Sequence, residues 1–184
     1  MQRNDLLVWM DLEMTSIQDV LVDKIVEIAV VLTDKDLNMV AEGPDIVIHV
    51  EPGLFRDIPD HARAVHDASG IEAAVAASTT TAEEAEQQVF DFLREYVVEG
   101  SAPLCGNSIH MDRHFLRIQM RAVNDYLFYR CIDVSSIKEL ARRWAPEIYE
   151  EAERRKGKKP HRAKGDILNS IKELKFYRDN FFKI

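Results

Sequence analysis

The sequence lacks what would carry a chain into a membrane or out through one. Near its start, residues 6–10 are apolar for only five positions before Asp11 interrupts them, too short for a signal-peptide core or a membrane span. Cysteine is scarce. Cys105 and Cys131 sit in strand-like apolar runs with no second Cys or His at metal-ligand spacing, so they read as small buried hydrophobes, with neither a disulfide nor zinc expected. Positive charge is also short, because 24 Lys and Arg stand against 32 Asp and Glu for a net charge of −8. A protein that carpets long nucleic acid needs many cations facing phosphates. That partner is disfavoured, whereas a small or single-stranded one remains compatible. With no repeat and no biased tract, the 184 residues read as one cytoplasmic domain spanning 1–184, without a membrane partner.

What is present begins with LLVWMDLE and IVEIAVVLT, two apolar, β-branched runs closed by the polar stretch 33–36. They read as paired strands. MVAEGPDIVIHV makes a third, with Gly43-Pro44 marking a bulge or bend on a sheet edge. Across 81–99, Ala82, Ala85, Val89, Phe92, Leu93 and Tyr96 recur at helical spacing, and Thr81 with Glu84 forms a capping box. Further on come a short strand in APLCGN, a helix over 111–121, a short strand in CIDVSS, a helix in SIKELARRWA ended by Pro146, and a last helix over 166–182. Strands first, then helices alternating with strands, predict an α/β domain whose mixed sheet is antiparallel at its beginning and parallel later. The segment 154–164, with seven basic residues among eleven, reads as a mobile loop.

Alternation in a strand puts Asp11 and Glu13 on one side, about 7 Å apart along the chain. Their strand is otherwise apolar enough to be central, and two carboxylates facing a core are costly unless a cation neutralises them. Asp-x-Glu also occurs simply where a strand ends. Asp112, at the start of a helix, has an equally plain reading as a cap. His161 precedes Asp166 by five residues, which on a continuous helix would turn the two about 140° apart. The pair shares a site only if His161 lies on the loop before the helix, which Pro160 and Gly165 permit.

Four acids in these places, with a His before the last, resemble the DEDDh exonucleases of the RNase H-like superfamily, and within them the oligoribonucleases. The resemblance rests on WMDLEMT at 9–15, HDASG at 66–70, PLCGNSIHMDRHFL at 103–116, YRCIDVSSIKELARRW at 129–144, HRA at 161–163 with Asp166, and ELKFYR at 173–178. It implies an RNase H-like mixed five-stranded sheet flanked by helices. It also implies two divalent ions, Mg²⁺ or Mn²⁺, held by Asp11, Glu13, Asp112 and Asp166, with Glu13 near the attacking water and His161 as general base. Arg162 and the neighbouring lysines would offset phosphate charge.

By the same resemblance the substrate is single-stranded RNA of about 2 to 5 nucleotides, dinucleotides above all, cut from the 3′ end to nucleoside 5′-monophosphates. Ser108, Arg130 and Ser135 would cap its 5′-phosphate, with Tyr129 supplied by the other subunit of a homodimer. Ser135 also suits the N-cap of its helix. His66 would line the nucleotide pocket. His61 stands where relatives often carry a stacking tryptophan, Ile17 where they carry a wedging leucine, Ser16 where they carry a glycine, and Lys164-Gly165 also departs from the pattern. The alternative is a related DEDDh exonuclease acting on single-stranded DNA or longer RNA 3′ ends, which a capped site disfavours.

Overall fold

A computed structural model describes residues 1–56, 58–155 and 162–182, without the side chain of His61. Five strands form one sheet: β1 (Leu7–Met14), β2 (Ile25–Thr33), β3 (Met39–Val47), β4 (Leu104–Gly106) and β5 (Cys131–Asp133), in the order β3-β2-β1-β4-β5. The first three pair antiparallel and the last two join parallel, as the element pattern predicts. In β3, Gly43 and Pro44 fall where the ladder with β2 slips, so the expected edge bulge is present. The glycine is required there, because a Cβ would lie 2.5 Å from the Phe92 ring.

Besides a short 3-10 helix at Pro52–Phe55, eight α-helices are seen among the described residues: α1 (Asp60–Ser69), α2 (Ile71–Ala77), α3 (Ala82–Tyr96), α4 (Ile109–Gln119), α5 (Arg121–Tyr126), α6 (Val134–Trp144), α7 (Pro146–Arg154) and α8 (Ala163–Asn180). The capping box of α3 forms as expected, with Thr81 Oγ1 accepting from Glu84 N–H and Glu84 accepting from Thr81 N–H. Several bounds differ from the sequence reading. α4 starts and stops two residues earlier, and α8 begins at Ala163. α1, α2, α5 and α7 have no counterpart in it. Pro146, read there as a stop signal, occupies the first turn of α7, where its missing N–H costs nothing. Ser135 is not the N-cap of α6; Asp133 is, and it accepts from Ser135 N–H.

Alternation along β1 divides the interior into two layers. Val8, Met10 and Leu12 join Val89, Leu93, Phe115 and Leu116 from α3 and α4, whereas Trp9 joins Val134 of α6 and Ala163, Ile167 and Ile171 of α8. Asp11 and Glu13 continue the Trp9 side of the strand, so they emerge beneath the first turn of α8. Cys105 is buried, but Cys131 on edge strand β5 is exposed, which corrects the expectation that both are core hydrophobes. No helix among the described residues is long and apolar enough to cross a membrane.

Candidate active site

The site forms where β4 stops and β1 runs on. β1 pairs with β4 only at Val8 and Trp9, and past that point the Leu12 N–H donates to Asp112 Oδ1 at 2.9 Å. Asp112 therefore bridges α4 to the central strand, and the N-cap of α4 is Ser108. This corrects the reading of Asp112 as a helix cap. The close approach of the strands depends on Gly106, whose Cβ would meet Ile109 Cδ1 at 2.8 Å and the Met10 carbonyl at 3.0 Å.

Asp166, in the first turn of α8, completes the group. One carboxylate oxygen each from Asp11, Glu13 and Asp166 lies within 4.8 Å of the others. Withdrawal from water raises the Asp11 carboxyl well above its usual range, and repulsion from Asp112, Glu13, Asp166 and Glu27 adds to it. The same withdrawal, reinforced by Glu27, Asp166 and Asp112, brings Glu13 to about 7. Asp112 also rises to about 7 through burial, against the lowering effect of the Leu12 N–H. Acids so reluctant to ionise together, offering only hard oxygen donors, fit a divalent cation.

A second group lies at the start of α4. Ser108, held at φ +50°, donates its N–H to Asp133 Oδ1 at 3.0 Å and to Ser135 Oγ at 2.9 Å. The two serine hydroxyls are 3.2 Å apart, and that of Ser135 donates to Asn107 Oδ1. The predicted pair is thus brought together on a scaffold of Asn107 and Asp133, which the sequence reading passed over. Arg130 and Tyr129 are exposed and engage each other within one chain, with the guanidinium Nε donating to the Tyr129 hydroxyl at 2.9 Å.

The remaining predicted residues are distributed around the end of β1. Ile17 is exposed on the loop that follows it, a loop organised by buried Asp23, which accepts from the N–H groups of Gln18 and Asp19. Ser16 needs no left-handed conformation, so a serine in place of glycine does not strain this turn. His66 is only 4% exposed; its Nε2 meets the Met14 carbonyl at 3.1 Å, so the ring braces the strand end from within. His161 and the side chain of His61 lie outside the described residues.

Arg162 differs from expectation. Its guanidinium is engaged by Glu27 and Lys164 pairs with Glu42, so neither cation is left simply facing a phosphate. Glu27 is the residue that sequence reasoning missed, although an acid within the apolar run IVEIA was the available signal.

The exonuclease family RNase_T matches residues 8–174. Among solved structures, a zinc-bound complex of E. coli exonuclease I with single-stranded DNA superposes with a TM-score of 0.72 at 12% identity, covering 96% of this chain and 41% of that one. At that identity the likeness carries the fold alone. Sheet, carboxylate group and family match together define the class, a metal-dependent exonuclease of RNase H-like fold. The oligoribonuclease of Haemophilus ducreyi is 45% identical over 181 residues, covering 98% of this chain and 97% of that protein. That of Rhodococcus jostii is 50% identical over 179 residues, 97% of this chain and 88% of its own length. The mitochondrial oligoribonuclease of Mus musculus is 46% identical over 177 residues, 96% and 73%. The chain belongs to the oligoribonuclease family.

Proposed function

We propose that this protein, acting as a single domain over 1–184, is a cytoplasmic 3′-to-5′ exoribonuclease that hydrolyses RNA of a few nucleotides, dinucleotides above all, to nucleoside 5′-monophosphates. The observation that carries the reading is the convergence of Asp11, Glu13 and Asp166, with Asp112 bonded into the same strand. These four would hold two divalent cations, Mg²⁺ or Mn²⁺. Bound there, the cations supply Lewis acidity at the scissile phosphate and at the attacking water.

The chain's own groups do the rest. His161, an imidazole and so a side chain suited to accepting a proton near neutral pH, takes the proton of the attacking water, which Glu13 helps to orient. The water oxygen bonds to phosphorus as the bond to the upstream 3′-oxygen breaks; that oxygen takes a proton from solvent to leave as a 3′-hydroxyl, and a nucleoside 5′-monophosphate is released. Ile17 wedges between bases and His61 flanks the nucleotide, while His66, buried against the Met14 carbonyl, supports that side of the pocket from within. Ser108, Ser135 and Arg130 bind the 5′-phosphate, an assignment supported by the contact between the two hydroxyls. A site closed in this way has no room for a continuing strand. Tyr129 completes the cap from the second subunit of a homodimer.

The test compares turnover of a 5′-phosphorylated RNA dinucleotide with that of a long single-stranded RNA and a long single-stranded DNA, each with Mn²⁺ and with chelator. Fast, chelator-sensitive release of mononucleotides from the dinucleotide alone is expected. Equal or faster cutting of a long strand would instead identify an exonuclease of the same family with an open site.

A further inference from the structure

All nine residues of β2 are buried, and one of them is the carboxylate Glu27, directly opposite Glu13 in the β1–β2 ladder. At 1% exposure it has no access to water. It places another negative charge beside four acids that already repel one another, and no step of the proposed hydrolysis needs it. Its partners come from 135 positions along the chain. Arg162 Nε lies 2.9 Å from Oε1 and 3.0 Å from Oε2, and Nη2 also donates to Oε1, so the guanidinium grips both oxygens. The Ala163 N–H donates to Oε2 at 3.2 Å. α8 has no side-chain cap from its own N-terminal residue, so a carboxylate from the sheet serves its first turn instead.

We propose that Glu27 and Arg162 act as one positioning unit, a clamp that seats the first turn of α8 against β1 and β2 so that Asp166 meets Asp11 and Glu13. The inference rests on the functional reading above for the role of Asp166. The clamp touches no reacting atom and acts only by setting where α8 begins. It also fixes the chain one peptide bond beyond His161. Loss of partners that orient metal ligands commonly costs about 10- to 100-fold in metal affinity or activity.

Arg162→Lys discriminates, since lysine keeps the charge but offers a single point donor in place of a fork. Turnover of the 5′-phosphorylated dinucleotide at saturating Mn²⁺ should fall about 10- to 100-fold in a variant that melts cooperatively, with KM changed by less than about threefold. Turnover within about threefold of the parent would overturn the clamp, leaving charge neutralisation as the whole role. The double variant Glu27→Gln/Arg162→Gln should be no slower than its worse single variant, as expected of a unit. Losses that multiply would also overturn the proposal. If the parent protein fails to cleave the dinucleotide, the functional reading falls, and Mn²⁺ titration by calorimetry then judges the clamp. Binding about tenfold weaker in Arg162→Lys sustains it, and unchanged affinity removes it.

Discussion

Asp112 shows how far a residue's chemistry depends on its second bond. Besides its place among the acids, it satisfies a backbone N–H of the central strand, so truncation to alanine orphans a buried donor at a cost of about 1 to 3 kcal/mol. Asp112→Asn keeps an acceptor for Leu12 and removes only the charge. It should fold as the parent does and lose about 10²-fold or more in turnover, several kcal/mol at tenfold per 1.4, measured on the dinucleotide. For His161→Ala a loss of about 10² to 10⁴ is expected, with a changed pH profile.

The raised acids also predict how the metal-free protein responds to pH. Glu13 and Asp112 are held at about 7 in the fold against ordinary values of 4.5 and 3.8, so the folded state binds the extra protons. Their stabilising contribution is complete below about 4 and is lost as pH rises toward 7. The exposed, Arg-paired acids Glu139 and Glu151 are shifted the other way, and their effect is confined to the acid end. With chelator, the melting temperature should be lower at pH 8 than at pH 6, and Mn²⁺ should narrow that gap. An equal or higher value at pH 8 would contradict the mutual repulsion. In the sequence, spacing alone joined Asp11 to Glu13, the resemblance added Asp112 and Asp166, and the contribution of Glu27 was not legible. The partners that set the repulsion come from β2, α4 and α8, so it depends on tertiary placement.

At the level of elements, a signal was readable where it was local. The edge bulge of β3 follows from Gly43-Pro44, and α3 from a capping box joined to a clean apolar stripe. α7 was hidden because proline both stops a helix and starts one, and its place after Trp144 suits either reading. α1 and α2 are short and separated by Gly70 at φ +68°, and apart from Val65, Ile71 and Val75 their apolar residues are alanines, which give little signal. Two glycines make opposite predictions here. Gly106→Ala must push the Met10 carbonyl or Ile109 aside, one residue from Asp11, so stability should fall by about 1 to 3 kcal/mol in urea unfolding, and activity with it. Gly165 lies in α8 with nothing within 4 Å of its Cβ position. Gly165→Ala should therefore stabilise by about 0.5 to 1 kcal/mol, with activity kept.

For the molecule as a whole, the proposed homodimer leads to a complementation experiment. If Tyr129 serves the partner's site, mixing Tyr129→Ala with Asp112→Ala chains yields heterodimers with one site lacking both groups and one site complete. Activity above that of either parent should return once light scattering shows a dimer whose subunits exchange. No recovery in exchanged heterodimers would confine Tyr129 to its own chain, where it already engages Arg130. The acidic composition left a small or single-stranded substrate open and the resemblance supplied its length, but the scaffold of Asn107 and Asp133 beneath Ser108 and Ser135 joins separate elements and has no local pattern to reveal it.

The sequence separation of the site's own bonds sets an order of events as the polypeptide acquires its shape. The β1–β2–β3 meander closes on neighbours within residues 7–47, whereas Leu12 waits for Asp112, 100 positions away, and Glu27 for Arg162, 135 positions away. Contacts of long range form late because loop closure must come before they stabilise anything. On the proposed reading, the nascent chain would carry Asp11 and Glu13 on an early sheet and would gain activity only once α8 docks and brings Asp166 to them.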